Sequence, residues 1–312
     1  MENDGMNRRG FLECMAWAGT GAFWLMASGS LKGAPLERAA GGAKRAAGGL
    51  RFVQISDSHI GFAREANTDV VGTLQAVVAK IKAADDPPAF IIHTGDLTQS
   101  SRPSEFDTLH QVLSDVSMPV FYVPGEHDVL NDAGTNFRAR FAQGTVGDGW
   151  YSFDHSGVHF VGLVNVVNLK AHGLGSLGED QLRWLAHDLA PLKNSTPVVV
   201  FAHIPLWSVY PEWGWGTDDS ARALELLKRF GSVSVLNGHI HQTMQKVEGH
   251  VTFHTAMSTA FPQPAPGSAP SPGPMKVTPD RLPQVLGVTD INFVAGQHRL
   301  AVVDDPLEKG NG

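Results

Sequence analysis

Five clusters of carboxylate and imidazole side chains recur along the 312-residue chain: Asp57-Ser58-His59, Gly95-Asp96, Gly125-Glu126-His127-Asp128, Ala202-His203 and Gly238-His239-Ile240-His241. Oxygen and imidazole ligands without thiolate suit Mn, Fe or Zn, and ligands from five separate loops can surround more than one ion. Cys14 is the only cysteine, which excludes an intrachain disulfide framework and any cysteine-built zinc site. In His239-Ile240-His241 the spacing of two lets both imidazoles leave one turn toward different neighbours. Holding two cations roughly 3.5–4 Å apart takes a bridging carboxylate. Asp96, directly after the permissive Gly95, is the natural candidate. Two such cations polarise a phosphoryl group, lower the pKa of water toward neutrality and stabilise both attacking and leaving oxygens.

Each cluster alone has a blander reading. An Asp-x-His after a strand is usually a loop or cap, Gly-Asp is a common turn, and His203 before Ile204-Pro205 could be a packed core histidine. Their occurrence together and in order favours a site.

The elements that must position these clusters are short β-branched runs alternating with helical patterns. Strands are expected at 52–55, 90–92, 120–123, 198–201 and 233–236, and helices near 68–84, 104–116, 179–192 and 220–230. This alternation implies a largely parallel sheet covered by helices. Residues 150–153 and 158–164 read as an antiparallel hairpin, and 247–253, 288–294 and 299–303 as further strands. The expected fold class is α/β, two packed mixed β-sheets flanked by helices in an αββα sandwich. Every cluster then follows a strand, and in open α/β sheets ligands collect at the carboxyl ends of the strands.

The motif order Asp-x-His, Gly-Asp, Gly-Asn-His-Asp/Glu, His, Gly-His-x-His resembles the calcineurin-like metallophosphoesterase family, in its cyclic-nucleotide-phosphodiesterase-like branch, over residues 50–304. One departure stands out: Glu126 occupies the family's Asn position. Carried over by position, the resemblance implies a first metal held by Asp57, His59, Asp96 and His241 and a second held by Asp96, Glu126, His203 and His239. It also implies that His127 contacts the phosphate and protonates the leaving oxygen, with Asp128 orienting its ring. The implied cofactors are two divalent or mixed-valence ions, and the implied substrate is a small phosphoric ester. Diesters are favoured, because three carboxylates repel a monoester dianion more than a diester monoanion. Phosphomonoester hydrolysis, and a catalytically weak metal-dependent phosphate- or nucleotide-binding protein, remain the alternatives. Retention of His127 with Asp128 counts against a pure binder. Gln99 counts against a purple acid phosphatase, since that branch resembles Gly-Asp-x-x-Tyr.

Composition bounds the rest. Hydrophobic residues make up 42% of the chain, enough for a sizeable core, and the formal net charge of −7 argues against stable nucleic-acid binding or bulk attraction to anionic lipid. Asn7-Arg8-Arg9-Gly10-Phe11-Leu12 before a moderately apolar stretch at 15–27 resembles a twin-arginine export signal. The expectations that follow are a signal peptide at 1–34, recognition by the twin-arginine (Tat) translocase, a periplasmic or otherwise exported protein, and no membrane span in the mature chain. Residues 35–49, mostly Ala and Gly, read as a linker, and 305–312 as a tail. The segment 261–283 carries eight prolines and reads as an irregular loop, decoration rather than a cover. His93 is expected to be hydrogen-bonded in the core or behind the ligands, and His254 could approach the site. Trp207, Trp213 and Trp215 form a loop aromatic cluster, for local packing or for stacking a flat group.

Overall fold

The computed structural model describes residues 22–27, 30–35, 49–294 and 300–310. The chain divides into two units, 1–48 and 49–312. In the first, Ala22–Ala27 pairs antiparallel with Ser30–Pro35. Arg8, Arg9, most of the expected linker and His298 lie outside the described residues.

The second unit contains two mixed sheets. The first has the order β11-β10-β1-β2-β3, with β1 Leu50–Ile55, β2 Ile91–His93, β3 Val120–Tyr122, β10 Gly287–Phe293 and β11 Ala301–Pro306. The second has the order β8-β9-β7-β6-β5-β4, with β4 Tyr151–His155, β5 Val158–Gly162, β6 Val198–Phe201, β7 Val233–Asn237, β8 Met244–Glu248 and β9 Val251–Thr255. Strands β1, β2 and β3 are mutually parallel, as are β5, β6, β7 and β9, while β4, β8, β10 and β11 run antiparallel to their neighbours. Helices α1 Val70–Lys82 and α2 Pro103–Leu113 cover the first sheet, and α4 Glu179–Leu189 and α5 Ser220–Leu227 cover the second. Two shorter helices are α3 Thr135–Phe141 and α6 Leu282–Val285.

Period-2 alternation explains the layers. In β1, Phe52 points between the sheets while Val53 and Ile55 face the helices; in β6, Val199 and Phe201 face inward while Val198 and Val200 face out. The inner layer is aromatic: Phe52 and Phe160, from opposite sheets, meet edge to face with centroids 5.3 Å apart. Burying each such side chain stabilises the fold by about 1.5–3 kcal/mol.

Two details differ from the sequence expectation. The strand read at 247–253 is two strands, because Gly249 adopts φ 59° and reverses the chain between β8 and β9. The helices stop two or three residues short of the apolar periodicity at their carboxyl ends, while capping sets where the first two start. Asp69 accepts the Gly72 N–H at 2.8 Å and starts α1, and Pro103 in the first turn with Glu105 accepting the Arg102 N–H starts α2.

At the carboxyl ends of the strands a polar clamp joins the sheets. Gln54 donates from Nε2 to Thr94 Oγ1 (2.9 Å) and to the Asn237 carbonyl (3.0 Å), and Asn237 Nδ2 donates to the Ala202 carbonyl at 2.8 Å. The loops that leave β1, β2, β6 and β7 therefore emerge side by side.

Candidate metal centre

Those loops are laced together by their own backbone. The N–H of Asp57 donates to the Gly95 carbonyl (3.0 Å), that of His59 to Asp96 (2.9 Å) and that of Ile60 to Leu97 (3.1 Å). The approach is close enough to need glycine. A Cβ on Gly125 would lie 2.3 Å from the Asp96 backbone nitrogen, and one on Gly95, at φ 98°, would lie 2.7 Å from the Gly125 nitrogen. Asp57, His59, Asp96, His239 and His241 all have positive φ, between 42° and 71°. That left-handed region costs an L-residue roughly 1–2 kcal/mol and is tolerated best by Asn, Asp and His. Strain of this kind, concentrated on converging polar side chains, marks a functional cluster.

The seven carboxylate and imidazole residues carried over as ligands come together. Asp57 Oδ1 lies 3.2 Å from His241 Nε2, and His241 Nε2 lies 3.2 Å from His59 Nε2. Glu126 Oε2 lies 2.9 Å from His203 Nε2 and Oε1 lies 2.9 Å from His239 Nδ1. Asp96 Oδ2 stands between the two halves, 3.5 Å from His59 Nε2 and 3.4 Å from His203 Nε2. Asp57, His59 and His241 form one set, and Glu126, His203 and His239 another, whose potential donor atoms all lie within 4.8 Å of one another.

These residues fit two cations. Glu126 Oε2, His203 Nε2 and both ring nitrogens of His239 are buried without a hydrogen-bond partner, despite the short separations between them. Unsatisfied donors and acceptors of this kind are costly unless something satisfies them. Outer contacts also fix which imidazole nitrogen is free. His203 Nδ1 donates to the Thr94 carbonyl (2.7 Å), His241 Nδ1 to the Phe261 carbonyl (2.6 Å), and His59 Nδ1 to Gln99 Oε1 (3.1 Å). Each leaves Nε2, with its lone pair, facing the cluster.

The carboxylates draw positive charge into the cluster: burial would lower the pKa of His203, but Asp96 and then Glu126 outweigh it and hold it well above the usual imidazole value, so without a cation this ring itself carries the charge. Burial dominates at His59 and at His93, whose pKa values are each lowered to about 3, so both rings are neutral. Burial opposes ionisation of Asp57, but His241 and then His203 outweigh it and hold the carboxyl far below the usual range. The same contest at Glu126 is won by His239 and His203, and its pKa is also held well down.

His127 lies at the edge of the cluster, its ring centroid 4.8 Å from that of His59. The expected support from Asp128 is corrected. Asp128 accepts the backbone N–H groups of Leu97 (3.0 Å), Thr98 (2.9 Å) and Gly125 (2.9 Å) together with the Thr98 hydroxyl (2.8 Å). Its oxygens are therefore occupied in fastening the third loop to the second. The ring is oriented by Gln99 instead, whose carbonyl accepts His127 Nδ1–H at 2.8 Å. Burial works against charge on this imidazole, yet Asp96, Glu126 and the Gln99 carbonyl outweigh it and raise its pKa.

A cavity of about 320 Å³ opens over the cluster. Its walls include Phe62, Arg64, Gln99, Trp213 and Trp215, and its far side is Gln263 with Pro272, Gly273 and Pro274. The proline-rich segment thus lines the cavity and is not mere decoration. Gln263 Nε2 donates to the His239 carbonyl (3.1 Å), and Gln242 Nε2 holds the carbonyls of Gln263 (3.0 Å) and Pro264 (2.7 Å). Trp207 belongs to the core against Phe253, and His254 pairs with Asp304 at 3.1 Å away from the cluster. His93 bonds Ser58 Oγ at 2.9 Å behind the ligands, as expected. Sequence reasoning missed Gln99 as a linker of His59 and His127; its place three residues after Asp96, considered only as a missing Tyr, was the available signal.

A family model described as calcineurin-like phosphoesterase matches residues 50–243. The chain is 24% identical over 225 residues to a 3′,5′-cyclic-nucleotide phosphodiesterase of Nostoc sp., covering 68% of this chain and 79% of the relative. It is 25% identical over 239 residues to a glycerophosphodiester phosphodiesterase of Enterobacter lignolyticus, covering 69% and 79%. A crystal structure of a dimetal phosphatase from Danio rerio superposes with a TM-score of 0.64 at 15% identity, covering 83% of this chain and 97% of that one, a likeness of fold. With its motifs gathered at the ends of a two-sheet sandwich and the family match spanning most of it, this chain belongs to the calcineurin-like phosphoesterases and is a metal-dependent hydrolase of phosphoric esters.

Proposed function

We propose that the protein hydrolyses phosphodiesters in preference to monoesters at a dinuclear centre of Fe, Mn or Zn. The observation that carries this reading is Glu126. Its carboxylate oxygens lie 2.9 Å from both His203 and His239, so a third negative charge joins Asp57 and Asp96 beside the cavity. A monoester dianion meets more repulsion there than a diester monoanion. The phosphodiesterase names of two relatives support the same preference.

Asp57, His59, Asp96 and His241 would hold one ion, and Asp96, Glu126, His203 and His239 the other. Bound there, two cations supply Lewis acidity toward the phosphoryl oxygens and a nucleophile from water near neutral pH. The chain's own residues do the rest. His127, with Nδ1–H held by the Gln99 carbonyl, presents Nε2 toward the cluster and, in its protonated form, gives that proton to the leaving oxygen. Asp128 keeps the turn that carries Glu126 and His127 against the Asp96 loop. Trp213 offers an apolar face to a flat alcohol moiety, and the 261–283 segment limits solvent access.

The test compares kcat/KM for bis(nitrophenyl) phosphate and nitrophenyl phosphate on protein loaded separately with Mn, Fe or Zn. The diester should be favoured with the most active metal. A faster monoester would overturn the proposal.

A further inference from the structure

The Phe62–Arg64–Gln99 side of the catalytic cavity is shared with a second cleft of about 240 Å³, closed by Arg102 and Glu105. Arg64 and Arg102 are exposed, and neither guanidinium has a hydrogen-bond or ion-pair partner among the described residues. This sets them apart. Arg51 pairs with Asp290, Arg140 with Asp107, Arg222 with Glu179, and Arg229 caps the Leu192 carbonyl. In a chain of net charge −7, two unpaired cations beside one cleft are a local reversal of sign.

Their placement relative to the metal ligands is fixed. Arg64 follows His59 on the loop after β1 and Arg102 follows Asp96 on the loop after β2. The two loops are joined by Ile60 N–H to Leu97 O (3.1 Å) and Gln99 N–H to Ile60 O (2.9 Å). The cleft's carboxylate, Glu105, is partly committed, since Oε2 accepts the N–H groups of Ser100 (2.9 Å) and Arg102 (3.2 Å). Two guanidinium forks beside one carboxylate leave net positive charge, the chemistry that recognises a phosphate or carboxylate in two-point fashion.

We propose that this cleft binds a second anionic group of the substrate, remote from the scissile phosphate, on the alcohol that is not the leaving group. The proposal rests on the phosphodiesterase reading of the centre. The substrate class is then a phosphodiester bearing a further phosphate or carboxylate.

The test uses the full chain, loaded with its most active metal, and nitrophenyl phosphodiesters whose second alcohol ends in a carboxylate, a phosphonate or a neutral carboxamide. At low salt the charged arms should exceed the carboxamide by about tenfold in kcat/KM, chiefly through KM, and the advantage should shrink as ionic strength rises. Arg64→Gln with Arg102→Gln should bring the charged-to-neutral ratio close to one, and Glu105→Gln should raise it. The better of the carboxylate and phosphonate arms identifies the group. Hydrolysis of all three diesters at one rate by the wild type, or a ratio indifferent to both salt and the arginine pair, overturns the subsite. Failure to hydrolyse any diester, with monoesters still turned over, would instead remove the phosphodiesterase reading on which it rests.

Discussion

Glu126 stands where the family carries a neutral amide, and the change bears on charge more than on shape. An amide oxygen can ligate a cation, but a carboxylate adds a full negative charge in a partly desolvated site, where attraction to a cation is strengthened and Lewis acidity is reduced. Glu126→Asn should therefore lower affinity for the ion that His203 and His239 would hold by about tenfold or more, and raise monoester hydrolysis relative to diester hydrolysis. Metal titration and a two-substrate assay check both; unchanged values in each would show that Glu126 acts in neither. His127 carries a second prediction. If its ring delivers a proton, His127→Asn should slow esters of aliphatic alcohols by about 10² to 10⁴ and nitrophenyl esters far less, with metal content kept. Equal slowing of both would assign it to phosphate binding. At this scale the sequence disclosed the ligand types through motif order, but not the Gln99 carbonyl that aims His127. A backbone acceptor leaves no trace in residue identity, and Asp128 is adjacent in sequence while its oxygens are turned to three other amides.

Elements explain what the motifs leave open. Strands β1 and β6 were readable as short apolar, β-branched runs because both faces of each are covered, but such a run does not say which residues, here Phe52 and Val199, point between the sheets. The proline-rich segment was misjudged for a physical reason: proline content reports that a chain is irregular, not where it lands, and the bonds from Gln242 and Gln263 that seat it over the centre are long-range. A histidine passed over in the sequence pins β5 to α4. His159 lies buried between Asp188 (2.9 Å) and Asp154 (2.8 Å). Burial would lower its pKa, but hydrogen bonds to Asp188 and then Asp154 outweigh this and raise it above 6.5. A raised folded-state value contributes stability fully below the unfolded pKa and loses it as pH rises through the folded one. Burial would raise Asp188, but bonds from His159 and Ser152 lower it below 3.8, so its share is present above that value and lost on acidification. The stability difference between wild type and His159→Gln in urea melts should therefore be greatest between about pH 4 and 6.5 and decline above. A difference independent of pH would mean that the ring acts there by packing alone.

Across the whole molecule, the centre is assembled at a cost to the fold that holds it. Asp57 and Asp96 are almost wholly buried at 0% and 1% exposure, with Glu126 close by, and five ligand candidates sit in left-handed backbone. Mutual repulsion and strain of about 1–3 kcal/mol per residue oppose folding, and bound cations would offset both. Ligand binding to the folded state stabilises by RT ln(1 + [L]/Kd), about 4 kcal/mol per ion at a thousandfold excess over Kd. Chelation should then lower Tm by on the order of 10 °C, restored by Mn or Zn. A Tm indifferent to chelator would show that the clustered charges are neutralised by other means. The strain component can be separated from the charge component at His239, which has φ 71° and two unsatisfied ring nitrogens. Glycine adopts that backbone freely. His239→Gly should lower Tm in metal-loaded protein by removing a ligand, and lower it less in chelated protein, where relief of strain and of unmet hydrogen bonds offsets the lost attraction to Glu126. Calorimetry of both proteins in both states decides the matter: an equal loss in the two states would mean that His239 supports the fold by packing, and that the left-handed ligands are not where the strain of this site resides.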